Sequence, residues 1–200
     1  MLYYERKLKK EGFNLIIGVD EAGRGPLAGP VVAAAAALNT YRFKHRIDDS
    51  KKLTSLGREK AFPEIISKCV FGIGVVSEKT IDRVNILKAT RLAMEQAVAS
   101  LIDKLPPAKR RHIHIIVDGN LSLDIDLPYT CIIEGDSKSK SIACASILAK
   151  VTRDRMMQLY DRIYPEYGFT RHKGYPTRMH RAILKKLGPC VIHRKSFCSV

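Results

Sequence analysis

Three apolar, β-branched runs in this chain end in a carboxylate: LIIGV runs into Asp20 and Glu21, IHIIV into Asp118, and CIIEG into Asp136. Runs of this length bounded by turn residues read as buried strands. A side chain at a strand's last position is held by the sheet and is free to face a crevice, so adjacent strands would gather these acids at one edge. Clustered carboxylates repel, and a hard divalent cation relieves that repulsion. Each acid also has a plainer role, since an Asp after a strand often closes a turn. Asp136 is the most open to it, because Gly135-Asp136-Ser137 precedes a predicted helix and can cap it.

The rest of the chain alternates accordingly. Asn14 to Asp20 and Val31 to Leu38 are predicted strands, joined by the turn-rich EAGRGPLAGP of Glu21 to Pro30. The link is too short for a crossover, so these two strands form an antiparallel hairpin within a mixed sheet. A helix is predicted over Thr54 to Lys68, capped by Thr54 and kinked or shortened by Pro63. Cys69 to Val76 is a third strand. The spacing of Ile86, Leu87, Met94, Ala97, Val98, Leu101 and Ile102 predicts an amphipathic helix over Asn85 to Lys104, stopped by Pro106 and Pro107. Lys109 to His112 reads as a basic surface turn. Strands follow at His112 to Asp118 and Tyr129 to Glu134, then one long helix or two short ones over Ser137 to Ile163, and a last helix from Pro176 to near Gly188. The pattern is α/β.

Thirty-five Lys plus Arg against twenty Asp plus Glu leave a net charge of +15, which points to a polyanionic partner, nucleic acid first. No stretch approaches the roughly 18 consecutive apolar residues of a membrane span, and the run Leu15 to Val19 is too short for a signal peptide. Five widely spaced cysteines with no C-x-x-C pair suggest neither a disulfide framework nor a cysteine zinc site, fit a reducing cytoplasm, and read at positions 69, 131 and 144 as small buried apolar residues. No Ser-His-Asp order or Walker lysine motif supports acyl transfer or nucleotide hydrolysis.

Around the acids lie groups suited to phosphate and sugar. Gly23-Arg24-Gly25 offers backbone amides beside Asp20 and Glu21, although alone it is only a turn. Asp49-Ser50-Lys51-Lys52-Leu53 places a hydroxyl and two ammonium groups before a helix, a composition suited to phosphate, although a solvated charge run is the commoner explanation. Ser146, Lys150, Arg153 and Arg155 recur at helical spacings, so some can face the same crevice. His172-Lys173-Gly174-Tyr175-Pro176-Thr177-Arg178 concentrates donors around an aromatic able to stack on a sugar or base, or to enter the core. His172 and His180 are candidate phosphate neighbours. His112 and His114 share one face of a strand, with an edge position preferred over metal ligation. Asp124 and Asp126 read as solvated. A non-catalytic basic module that binds structured RNA accounts for the charge and the basic loops, but it has no use for four carboxylates beside its phosphate site.

The stretches GVDEAGRGPLAGPVV, DDSKKL, NILKATRLAM, IIVDGN, GDSKSKSIACASILAKVTRD, YGFTRHKGYPT and HRKSF resemble bacterial ribonuclease HII, the type 2 ribonuclease H, in order from about Asn14 to Phe197. The type 3 enzyme is less similar, its glycine loop usually carrying Lys at the position of Arg24. The resemblance implies a ribonuclease H-like mixed five-stranded sheet with flanking helices, with residues 1–163 as catalytic domain and 164–200 as a C-terminal helical extension packed on it. It implies cleavage of RNA in RNA–DNA hybrids, and incision 5′ of single ribonucleotides embedded in duplex DNA, by a two-metal-ion mechanism leaving 3′-hydroxyl and 5′-phosphate ends. By similarity Asp20, Glu21, Asp118 and Asp136 match the acids that bind Mn²⁺ or Mg²⁺. Gly23, Arg24 and Gly25 match the loop that senses the ribose 2′-hydroxyl, and Tyr175 matches the tyrosine stacked at the ribonucleotide junction. Lys51 falls where the phosphate backbone passes, with Ser146 and Lys150 as further substrate contacts. The expected protein is a cytoplasmic monomer with no sliding-clamp motif.

Overall fold

A computed structural model describes residues 1–198. Its centre is a five-stranded sheet of β1 (Leu15–Ala22), β2 (Val31–Leu38), β3 (Cys69–Val76), β4 (Ile113–Asp118) and β5 (Tyr129–Ile132), in the order β3-β2-β1-β4-β5. β1 pairs antiparallel with β2, and β2 with β3, while β1–β4 and β4–β5 are parallel. The sheet is therefore mixed, as the short 23–30 link requires.

Strand alternation divides the core in two. Ile17, Val19, Ala33, Ala35, Ile115 and Val117 face α4 (Ile86–Asp103), whereas Ala34 and Ala36 face α2 (Ser55–Lys68) and α6 (Lys140–Ile163). The alanines of VVAAAAAL let helices approach both faces, so the strand reads as one apolar run rather than an alternation. β1 meets α6 more closely still. A Cβ on Gly18 would lie 2.2 Å from the Ser141 carbonyl carbon and 2.3 Å from the Ile142 nitrogen. No other residue type allows this approach of helix to strand without displacing the backbone.

Some boundaries differ from the sequence expectation. β1 continues to Ala22, which makes Glu21 a strand residue, and β5 stops at Ile132. α2 is neither shortened nor interrupted by Pro63: that residue is exposed, and Ala61 and Ile65 anchor the buried side. Two short helices lie where the sequence reading placed none: α1 (Tyr3–Lys10) and α3 (Glu78–Val84). The region Ser137 to Ile163 is one turn, α5 (Gly135–Lys138), then α6, broken at Ser139, whose Oγ caps α6 through the Ile142 N–H at 3.2 Å. Glu5 of α1 completes that cap, accepting from Ser139 Oγ and from the Ser141 N–H and Oγ at 2.7–3.0 Å.

The chain ends in α7 (Phe169–His172), α8 (Arg178–Leu187) and a closing segment, gathered on Ala28, Met157, Tyr167, Phe169, Leu184 and Ile192. Backbone bonds lace the 23–30 loop to this part: Leu27 N–H to Gly174 O, Gly29 N–H to Ile192 O, and Arg194 N–H to Leu27 O, each 2.8 Å. His172 and His180, expected near phosphate, are instead buried here beside His193, with the His172 and His180 rings stacked 4.1 Å apart. His112 has φ +55° outside β4, and His114 lies on an interior strand bonded to Thr130 Oγ1 at 2.9 Å, so the two share neither a face nor an edge. Cys69 and Cys144 are buried, Cys131 partly so, and Asp124 and Asp126 are exposed.

Candidate active site

Because β1 and β4 run parallel with Val19 opposite Val117, the residues one step on, Asp20 and Asp118, emerge side by side. β5 pairs Ile132 with Asp118, the backbone then turns at Glu134 through φ +55°, and the Gly135 N–H donates to Asp118 Oδ1 at 2.6 Å. This turn delivers Asp136, in the first turn of α5. One carboxylate oxygen from each of Asp20, Asp118 and Asp136 lies within 4.8 Å of the others. The capping alternative for Asp136 does not describe it, since Ser139 caps α6.

Glu21 stands apart from this trio. Asp20 pairs with Ala34 on the α6 side of the sheet and Glu21 with Ala33 on the α4 side, so alternation turns the two acids opposite ways. At the end of its strand Glu21 still reaches the same crevice, its carboxylate 3.4 Å from Arg24 Nη1. Three of the four expected acids are thus grouped, and the fourth forms the neighbouring wall.

The electrostatics follow. Burial holds the Asp20 carboxyl well above its usual range, and the negative charges of Glu21 and Asp118 add to this. Burial likewise raises Glu21, against the pull of Arg24. Asp136 is pushed up to about 6 by burial and then by Asp118 and Asp49. Burial opposes the charge on Lys51, but Asp136, Asp20 and Asp49 outweigh it and raise that ammonium. These are carboxylates short of positive charge in a chain with an excess of it, a donor set of hard oxygens suited to Mg²⁺ or Mn²⁺ rather than zinc.

Asp20, Glu21, Gly23, Arg24, Gly25, Ser146, Lys150 and Tyr175 line one crevice, Asp118 and Asp136 line its continuation, and Lys51 borders both. The acids and substrate contacts that the resemblance implies therefore line this crevice, although their roles differ, whereas Arg153, Arg155, His172 and His180 do not. Ser146 bonds to Ser50 Oγ at 2.8 Å and supports Asp20. Lys150 is paired with Asp154 at 2.7 Å and lies 5.6 Å from the Tyr175 ring centre. Arg153 and Arg155 turn away from the crevice: Arg153 is buried under it, and Arg155 pairs with Glu59 at 2.6 Å. Gly23 adopts φ +103°, and a Cβ on Gly25 would come within 4.0 Å of the Tyr175 ring, so loop and ring are opposite walls. The crevice also takes in Ser50, Asp49 and Lys52, from the stretch read as suited to phosphate or as a solvated charge run, and Glu134, which the sequence reading did not single out.

The family model for ribonuclease HII matches residues 17–200. The chain belongs to the ribonuclease HII family. Ribonuclease HII of Ruminiclostridium cellulolyticum is 53% identical over 198 residues, covering 98% of this chain and 75% of that one. That of Syntrophotalea carbinolica is 47% identical over 200 residues, covering 100% and 92%. Among solved structures, ribonuclease H2 from Pyrococcus horikoshii is similar with a TM-score of 0.71 and 27% identity over 91% of this chain and 93% of that one. The ribonuclease is thus an endonuclease that hydrolyses RNA in RNA–DNA hybrids, on the mixed five-stranded sheet expected of it. Ribonucleases H are metal-dependent, and this one has an acidic trio that fits a divalent ion. Among the described residues no helix is long and apolar enough to cross a membrane.

Proposed function

We propose that this ribonuclease incises duplex DNA 5′ of a single embedded ribonucleotide, as well as cutting uniform hybrids, and that Asp20, Asp118 and Asp136, with Glu21 at the margin, hold Mn²⁺ or Mg²⁺ for the reaction. The observation that carries the reading is the convergence of three carboxylate oxygens within 4.8 Å beside a glycine loop and an exposed tyrosine. The ions supply neutralising charge and Lewis acidity to an in-line displacement at phosphorus. Water adds, the P–O3′ bond breaks, and 3′-hydroxyl and 5′-phosphate ends remain; no protein nucleophile is needed.

The chain's own groups orient the substrate. Tyr175, 39% exposed, presents a ring for stacking at the ribonucleotide junction, and the amides of the 23–25 loop across from it read the 2′-hydroxyl. Lys51 and Lys150 border the phosphate path, Ser146 steadies Asp20 from α6, and the C-terminal extension that begins at residue 164 carries the Tyr175 loop. The protein is read as a cytoplasmic monomer. A purely binding role for the +15 chain has no use for raised, clustered carboxylates.

The test is incubation with a duplex carrying one ribonucleotide, in Mn²⁺, Mg²⁺ or EDTA. Incision on the 5′ side with either ion and none in EDTA is expected. Cutting without metal, or binding without cutting under both ions, sinks the proposal.

A further inference from the structure

Two arginines without carboxylate partners lie beneath the glycine loop. Arg194 is 0% exposed and donates from Nε to Gly29 O at 2.9 Å, from Nη1 to Arg24 O at 2.9 Å, and from Nη2 to Gly23 O at 2.6 Å. Arg153, 1% exposed, donates from Nε to Pro30 O, from Nη2 to Ala28 O and from Nη1 to Lys173 O, at 2.9–3.0 Å. Between them they hold five carbonyls of the 23–30 loop and one from the Tyr175 loop. Among the described residues neither guanidinium has an ion-pair partner. Burying two such cations is costly, and a core built for stability alone is better served by apolar side chains.

The geometry explains what the cost secures. Among the described residues there is no cis peptide bond, and in a trans peptide the C=O of one residue points opposite to the N–H of the next. Turning the Gly23 and Arg24 carbonyls down onto Arg194 therefore turns the Arg24 and Gly25 N–H groups up, into the crevice. Neither amide donates to any acceptor among the described residues. Pro26 follows and has no N–H, so the loop presents these two free donors as a pair.

We infer that Arg194 is a specificity-positioning residue: its guanidinium, with Arg153 beside it, fixes the orientation of the Arg24 and Gly25 amides that meet the ribose 2′-hydroxyl. This rests on the proposed reading of the 23–25 loop and adds the part that aims it. The three-pronged contact needs a planar fork, which a lysine ammonium cannot reproduce although it keeps the charge.

Arg194→Lys tests this on a duplex with one ribonucleotide, assayed well below the variant's unfolding temperature, with an all-deoxy duplex of the same sequence as competitor. A fall in kcat of about tenfold to hundredfold is expected, because small misplacement of an aimed donor has effects of that order. The inhibition constant of the all-deoxy duplex should stay within about twofold. An unchanged kcat with only a lower unfolding temperature makes Arg194 structural and overturns the inference. If the variant fails to fold, amide exchange of the unmodified protein in EDTA decides: the Arg24 and Gly25 amides should exchange fast when free and be protected by the ribonucleotide duplex but not by the all-deoxy one. Slow exchange in the free protein, or equal protection by both, overturns it. Failure of the unmodified protein to cut is a different result, which removes the proposed function itself.

Discussion

Acid should loosen the module that carries Tyr175, through one histidine. The carbonyl of Tyr175 only accepts, so His180 Nδ1 carries its proton at 2.9 Å and His180 Nε2 is bare. His193 Nε2 must then donate across 3.0 Å, which leaves His193 Nδ1 to accept from the Cys190 N–H at 2.9 Å. A second proton on His193 would face that N–H. Burial, with His180 alongside, lowers His193 to about 4. In the unfolded chain a histidine titrates near about 6.5. Between these values the unfolded state binds more protons, so the contribution is present in full above about pH 6.5 and is lost as pH falls through about 4. From pH 7.5 to 5.0 the loss is about 2 kcal/mol, equivalent to about 4–8 °C in unfolding temperature for a domain of this size. Urea unfolding followed by circular dichroism at both pH values, on the unmodified protein and His193→Gln, isolates the term, because the carboxylates titrate alike in both. The substitution is expected to lower stability at pH 7.5 and to remove about 2 kcal/mol of the pH dependence. An equal change in both proteins would refute the tautomer argument.

Other outcomes follow from the same structure. Asp118→Asn keeps an oxygen for the Gly135 N–H, so turnover should fall about a thousandfold while duplex affinity in EDTA stays within about twofold; comparable turnover would remove Asp118 from the ion site. Gly18→Ala should cost about 3 kcal/mol or more in urea unfolding, because the added methyl meets the backbone of α6, and a neutral result would mean that α6 is not seated on β1. Tyr175→Ala should slow cutting at a single-ribonucleotide junction more than on a uniform hybrid, by about tenfold in the ratio of kcat/KM values. Equal losses would make the ring a structural element.

What the chain declares by itself is local. Val31–Leu38 and Cys69–Val76 match their predicted spans because apolar runs bounded by turn residues carry their own signal, and the short 23–30 link already requires a hairpin. The acids are legible for the same reason, each standing at or just past the end of such a run. Tertiary structure decided the remainder. The parallel pairing of β1 with β4, not any spacing, brings Asp20 to Asp118, and strand alternation sets Glu21 apart. The sequence reading let Arg153 face the crevice and gave Arg194 no role, yet both are buried because the carbonyls that satisfy them arrive from as far as 171 positions away. His172 and His180 looked like phosphate ligands and are buried for the same reason: their ring partners come from separate elements folded together. Propensity and periodicity act over a few residues, whereas the partner of a buried polar group is chosen by the fold.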